Sequence, residues 1–116
     1  KFLFVDDDKN LIAIFKKWAS IKGYNSKFAY DGIEALELIQ KEHFDIIIMD
    51  IDMPILDGIT TAGKIHNLAP NSKILILTGL NSKHHQNLPQ NIIDVLLKPI
   101  SLSELDNKLS SLQKSQ

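Results

Sequence analysis

The chain has 116 residues, the size of one ordinary domain with a single core. Its 44% hydrophobic and 23% charged residues exclude a disordered chain, no apolar stretch approaches a membrane span, and no signal peptide is evident, so no membrane association is expected. A net charge of −1, with thirteen Lys and no Arg, leaves no basic footprint for direct nucleic-acid recognition, while the absence of Cys excludes disulfides and thiolate metal sites and suits a cytoplasmic location.

Short apolar runs alternate with helical patterns, an order that predicts a parallel α/β sheet. Phe2 to Val5 reads as a first strand that ends in the acids Asp6, Asp7 and Asp8. Asp8 is placed to cap the helix that follows, whose apolar face is assigned to Leu11, Phe15, Trp18 and Ile21 and which stops at Gly23. Ser26 to Ala29 is a weaker strand nearer an edge. Asp31 and Glu34 form a capping box for a second helix, with Leu36 and Ile39 facing the core.

Asp45 to Met49 is the third strand, a β-branched run that delivers Asp50 to its C-terminal edge; Pro54 forbids simple continuation. The turn pair Asp57-Gly58 opens a third helix reaching about Leu68. Lys73 to Leu77 is a fourth strand ending at Thr78-Gly79, and Val95 to Leu97 a fifth ending at Lys98-Pro99. Between them, Asn81 to Asn91 lacks an apolar stripe and contains Pro89, so the fourth helix expected there is predicted to be short or irregular. Ser101 and Glu104 cap a last helix with Leu102, Leu105, Leu109 and Leu112 on one face; a polar tail starts at about residue 113. A single domain over residues 1–116 is expected.

In a parallel sheet the strand ends converge, which brings Asp6, Asp7, Asp50, Thr78 and Lys98 to one edge. Alone, each reads as an ordinary cap, turn or solvated residue; together they define a cleft. Three carboxylates in one cleft repel unless a cation joins them, and hard oxygen donors favour Mg²⁺ or a similar ion. A hydroxyl and an ammonium beside that cation suit a phosphoryl group, with Asp50 as the nucleophile that forms an aspartyl phosphate.

The pattern Val5-Asp6-Asp7-Asp8, Met49-Asp50-Ile51-Asp52-Met53-Pro54 with Asp57-Gly58, Leu77-Thr78-Gly79 and Lys98-Pro99 resembles the response-regulator receiver domains of two-component signalling, over residues 2–112. The resemblance implies a doubly wound, flavodoxin-like fold with five parallel strands in the order 2-1-3-4-5 and helices on both faces. It implies that Asp50 accepts phosphate from a histidine kinase or a histidine phosphotransfer protein. Asp6 and Asp7 then correspond to the acidic pair at the Mg²⁺, Asp52 to the residue whose backbone carbonyl reaches the metal, and Thr78 and Lys98 to the groups that hold the phosphoryl oxygens. The chain would promote its own phosphorylation and dephosphorylation without turning over a separate substrate, and would act through an effector domain, a partner protein or a homodimer.

The chain departs from the family pattern at the switch face. Val95 stands where Tyr or Phe is usual, the spacing from Thr78 to Lys98 is short, and the segment around Pro89 is polar. At the pocket rim, Asp52 adds an acid, and Leu80 is expected to hinder water and slow dephosphorylation. Two other readings compete. Asp50-Ile51-Asp52 imitates the Asp-x-Asp pair of haloacid-dehalogenase-like phosphatases, although the early position of Asp6-Asp7, Pro54 and the lack of a cap domain oppose it. A degenerate receiver serving only for docking is the other. His43 and His66 are expected on helix surfaces, and His84-His85 lacks a third ligand, so all four are read as solvated or structural.

Overall fold

The computed structural model describes residues 1–53, 56–79 and 89–114, with side chains to residue 112. Its strands are β1 (Phe2–Val5), β2 (Ser26–Ala29), β3 (Ile46–Asp50), β4 (Lys73–Thr78) and β5 (Ile92–Leu97); its helices are α1 (Lys9–Lys22), α2 (Gly32–Lys41), α3 (Gly58–Leu68) and α4 (Leu102–Lys114). All strand pairings are parallel, in the order β2-β1-β3-β4-β5, as the resemblance implied. Residues 80–88 lie outside the described residues, and with them most of the segment expected to be irregular, as well as Leu80 and His84-His85; Pro54 lies outside them too.

The central strands are buried along their whole length, which is why β1 and β3 read as continuous apolar runs. Alternate residues feed two cores. Leu3, Val5, Ile47, Met49, Ile74 and Ile76 pack with Ala35 and Ile39 of α2 and with Ala62 and Ile65 of α3. Phe2, Phe4, Ile46, Ile48, Leu75 and Leu77 pack with Ile12, Phe15 and Trp18 of α1 and with Leu105 and Leu109 of α4. The Phe4 ring stacks on Phe28 at 5.4 Å and meets Phe15 at 4.9 Å, so the second core is mainly aromatic beneath α1.

Local chemistry sets the helix ends. The Asp8 carboxylate accepts from the Asn10 and Leu11 amides, Asp31 from Glu34, and Asp57 from Thr60, each satisfying donors that a helix start leaves free. Gly23 ends α1 in the left-handed region at φ 73°, where an L side chain would be strained.

Three expectations change. In α1 the buried positions are Ile12, Phe15, Trp18 and Ala19, whereas Ile21 is 74% exposed and Leu11 only partly buried. The assigned stripe was rotated by part of a turn, because α1 carries apolar residues on two overlapping arcs. β5 starts at Ile92, earlier than expected: a register irregularity turns Asp94 toward α4, where it pairs with Lys108, so a charge inside the strand is accommodated. His43 lies just past α2 and its Nε2 is 3.4 Å from Asp45, while His66 is half-buried in α3.

Candidate functional site

β1 and β3 are hydrogen-bonded neighbours with Val5 opposite Met49, so Asp6 and Asp50 leave the sheet side by side. β4 lies on the other flank of β3 with Leu77 opposite Asp50, which puts Thr78 one residue further along. β5 completes the edge: Leu97 faces Thr78, and the Lys98 amide donates to the Thr78 carbonyl at 2.7 Å. Five residues from four segments are thus set by strand register alone.

Carboxylate oxygens of Asp6, Asp7 and Asp50 lie within 4.8 Å of one another. Asp6 and Asp50 are buried and Asp7 is exposed, so the cluster has a closed floor and an open mouth. Lys98 Nζ donates to Asp6 Oδ2 at 2.8 Å and lies 3.5 Å from Asp50 Oδ2. The other oxygens are held by backbone: the Asp8 amide donates to Asp6 Oδ1 at 2.9 Å, and the Asp52 amide to Asp50 Oδ1 at 3.2 Å. The exposed Asp52 side chain is not part of the carboxylate cluster.

The charges respond to this arrangement. Burial pushes the Asp50 carboxyl above the ordinary range; Lys98 pulls it down, and the Asp6 charge reinforces the rise. Burial also works against the Lys98 ammonium, yet the hydrogen bond to Asp6 and the charges of both acids win and raise its pKa. The Lys98 shift follows from the count of charges, whereas the Asp50 shift follows mainly from burial. One cation faces two anions and is favoured, whereas Asp50 shares that cation with a second anion.

Asp6, Asp7 and Asp50 offer an all-oxygen donor set with one ammonium against two buried carboxylates, which fits a small hard cation of the Mg²⁺ type. Thr78 is fully buried and its Oγ1 has no hydrogen-bond partner among the described residues. An unsatisfied buried hydroxyl at a strand end is costly unless a ligand completes it.

One residue at the site was not anticipated. Gly58 packs directly on the backbone of Asp50 and Ile51. The visible signal was the repeat of Asp-Gly at 31–32 and 57–58, each time with the Asp as a helix cap.

The family model for the response regulator receiver domain matches residues 2–110. The chain belongs to this family. It is 32% identical over 114 residues to the response regulator MprA of Mycobacterium ulcerans, a match covering 97% of this chain and 49% of that protein; the receiver thus spans about half the length of this relative. Among solved structures, it is similar to the receiver domain of the Francisella response regulator 1452, with 32% identity, a TM-score of 0.84, and 98% and 96% of the two chains covered. It is also similar to the Thermotoga maritima response regulator TrrA in complex with Mg²⁺–BeF, with 29% identity, a TM-score of 0.85, and 96% of each chain covered. The chain is therefore a receiver domain of two-component signalling whose aspartate cluster is consistent with a phosphoacceptor site, and the haloacid-dehalogenase-like reading gives way to this membership. Among the described residues no helix is long and apolar enough to cross a membrane.

Proposed function

We propose that Asp50 is the phosphoacceptor, taking a phosphoryl group from a histidine kinase or a histidine phosphotransfer protein. The observation that carries this reading is the buried Asp50 carboxylate facing Lys98 Nζ at 3.5 Å, one strand from Thr78 Oγ1, which has no partner among the described residues. The carboxylates of Asp6, Asp7 and Asp50 and the backbone carbonyl of Asp52 would hold Mg²⁺. Bound there, Mg²⁺ supplies charge neutralisation for the phosphoryl oxygens.

The chain's own residues do the rest. The Asp52 amide holds Asp50 Oδ1, leaving Oδ2 on the side of Lys98 as the attacking atom. As the new oxygen–phosphorus bond forms, the phosphorus–nitrogen bond of the donor phosphohistidine breaks and its electron pair returns to the imidazole. Lys98 and the Thr78 hydroxyl stabilise the charge spread over the transferred oxygens. The acyl phosphate formed there carries more negative charge than the carboxylate, and Lys98 and the cation would offset it.

The same reading makes the domain a switch for an effector domain, a partner protein or a homodimer in the cytoplasm, with no turnover of a separate substrate. A receiver that only docks is the second reading, favoured by the half-buried Val95 at the position of the usual ring. The test is incubation with Mg²⁺ and acetyl phosphate followed by intact-mass measurement. Wild type gains one phosphoryl group and Asp50→Asn none. An adduct that survives the substitution refutes the assignment of Asp50, and a wild type that takes none supports the docking reading.

A further inference from the structure

Ile51, which follows β3, and Leu56, which precedes α3, each pack against the first residue of a helix, and both of those residues are glycines that follow a capping aspartate. A Cβ on Gly58 would lie 2.6 Å from the Asp50 carbonyl oxygen and 2.7 Å from Ile51 Cα. The Gly58 amide donates to the Ile51 carbonyl at 2.9 Å, so the two backbones are hydrogen-bonded as well as packed. On the other side, a Cβ on Gly32 would collide with Thr61 Oγ1 and come within 3.1 Å of the Leu56 carbonyl oxygen. Neither glycine has a positive φ, so what each provides is space. Gly63, one turn further along α3, has nothing within 4 Å of the same added carbon.

We infer that Gly58 is a positioning residue for Asp50. Its bare Cα lets the first turn of α3 seat on the strand end, and this seat fixes the backbone that presents the Asp50 carboxylate and the Asp52 amide and carbonyl. The inference rests on the reading of Asp50 as phosphoacceptor.

A methyl group at position 58 meets the Asp50–Ile51 backbone, and backbone cannot rotate away as a side chain can. Restoring an ordinary contact means opening 2.6 Å to 3.4 Å, a shift of about 0.8 Å. Functional constellations tolerate displacements of about 0.5 Å. The shift therefore exceeds what the site absorbs, and it acts on the peptide that follows the nucleophile. Gly32 acts on Leu56 and on Thr61 of α3, but its nearest obstacle is a hydroxyl that can turn, so its effect is smaller.

The experiment compares wild type, Gly58→Ala and Gly63→Ala in two measurements: Mg²⁺ affinity by calorimetric titration without phosphodonor, and the phosphorylation rate with acetyl phosphate. Far-UV circular dichroism without metal checks folding. Gly58→Ala is expected to stay folded, to bind Mg²⁺ about tenfold more weakly, and to be phosphorylated about 100-fold more slowly. Gly63→Ala keeps both wild-type values, although it changes the same helix. A folded Gly58→Ala with wild-type affinity and rate overturns the inference.

If Gly58→Ala does not fold, the packing is tested from its other side. Gly32→Ala is expected to weaken Mg²⁺ binding severalfold, and adding Thr61→Ala to restore part of it; unchanged affinity in folded Gly32→Ala overturns the inference. The phosphoacceptor reading fails separately, when wild type itself neither binds Mg²⁺ nor gains a phosphoryl group on Asp50.

Discussion

Replacing Asp50 with Asn removes a charge while keeping the shape of the side chain, and its effect on stability is expected to depend on Mg²⁺. Without metal, Asp50 is attracted to Lys98 at 3.5 Å and repelled by Asp6 at no more than 4.8 Å. With an effective dielectric constant near 20, the attraction is about 5 kcal/mol and the repulsion about 3.5 kcal/mol, so the two largely offset. What remains is the cost of holding a carboxylate at 7% exposure, and the raised Asp50 pKa shows that this cost prevails. The Asn oxygen can still accept from the Asp52 amide, so that hydrogen bond survives. Asp50→Asn is therefore expected to be the more stable protein without divalent metal, by about 1 kcal/mol, the ordinary size of a single-substitution effect, or about 4 °C in Tm for a domain of this size. The difference fades in acid, because a carboxyl whose folded pKa is raised carries its penalty above that pKa and none below the unfolded value. Mg²⁺ reverses the order: at a hundredfold excess over Kd a site gains about 2.7 kcal/mol, and the variant lacks one of its three carboxylates. Urea titrations monitored by Trp18, buried between Phe4 and Tyr24, measure both effects. A variant less stable than wild type without metal, or equal stabilisation of both by Mg²⁺, refutes this reasoning.

Elsewhere in the domain, Leu109→Ala removes a fully buried α4 side chain from the aromatic core and is expected to cost about 3 kcal/mol with an unchanged urea m-value. Asp31→Ala leaves the Glu34 amide without its cap and is expected to cost about 1 kcal/mol, read from the urea midpoint. Lys108 holds the Asp94 carboxyl below its ordinary range, a stabilisation present above the unfolded pKa and lost as pH falls through the folded one. Because both partners are about one-third exposed, Lys108→Met is expected to cost less than about 1 kcal/mol at neutral pH and nothing in strong acid, by chemical denaturation at both pH values.

The number of strands and four of the five strand ends were legible because a parallel sheet needs only two signals, a short apolar run and a polar residue where it stops, whereas the strand order came from the family resemblance. Asp6, Asp50, Thr78 and Lys98 each sit at such a stop, and register does the rest. Helix faces were harder to read. α1 has apolar residues at 11, 12, 13, 14, 15, 18, 19 and 21, enough for two stripes, and only the seat of the helix over Phe4 and Ile48 selects the one through Ile12 and Ala19. The early start of β5 was hidden by Asp94, whose charge breaks the apolar run and is tolerated because Lys108 of α4 lies opposite. Each miss concerns a position decided by a neighbour distant in sequence.

Gly58 belongs to that class, and its case bears on how the site is built. In sequence, Asp57-Gly58 reads as a turn, and that reading explains the residue pair completely. In space, the Asp caps α3 while the Gly admits the Asp50 and Ile51 backbone, so one dipeptide both starts the helix and sets its distance from the strand end. Lys98 and Asp6 are also held by backbone and by each other: the Lys98 amide by the Thr78 carbonyl, and Asp6 Oδ1 by the Asp8 amide. The acidic cluster is thus fixed largely through main-chain contacts at the sheet edge, with the Lys98–Asp6 side-chain hydrogen bond beside them. Such a frame can keep two buried carboxylates in place although they repel, because their positions do not depend on their mutual energy. The repulsion is then available to favour a cation that relieves it.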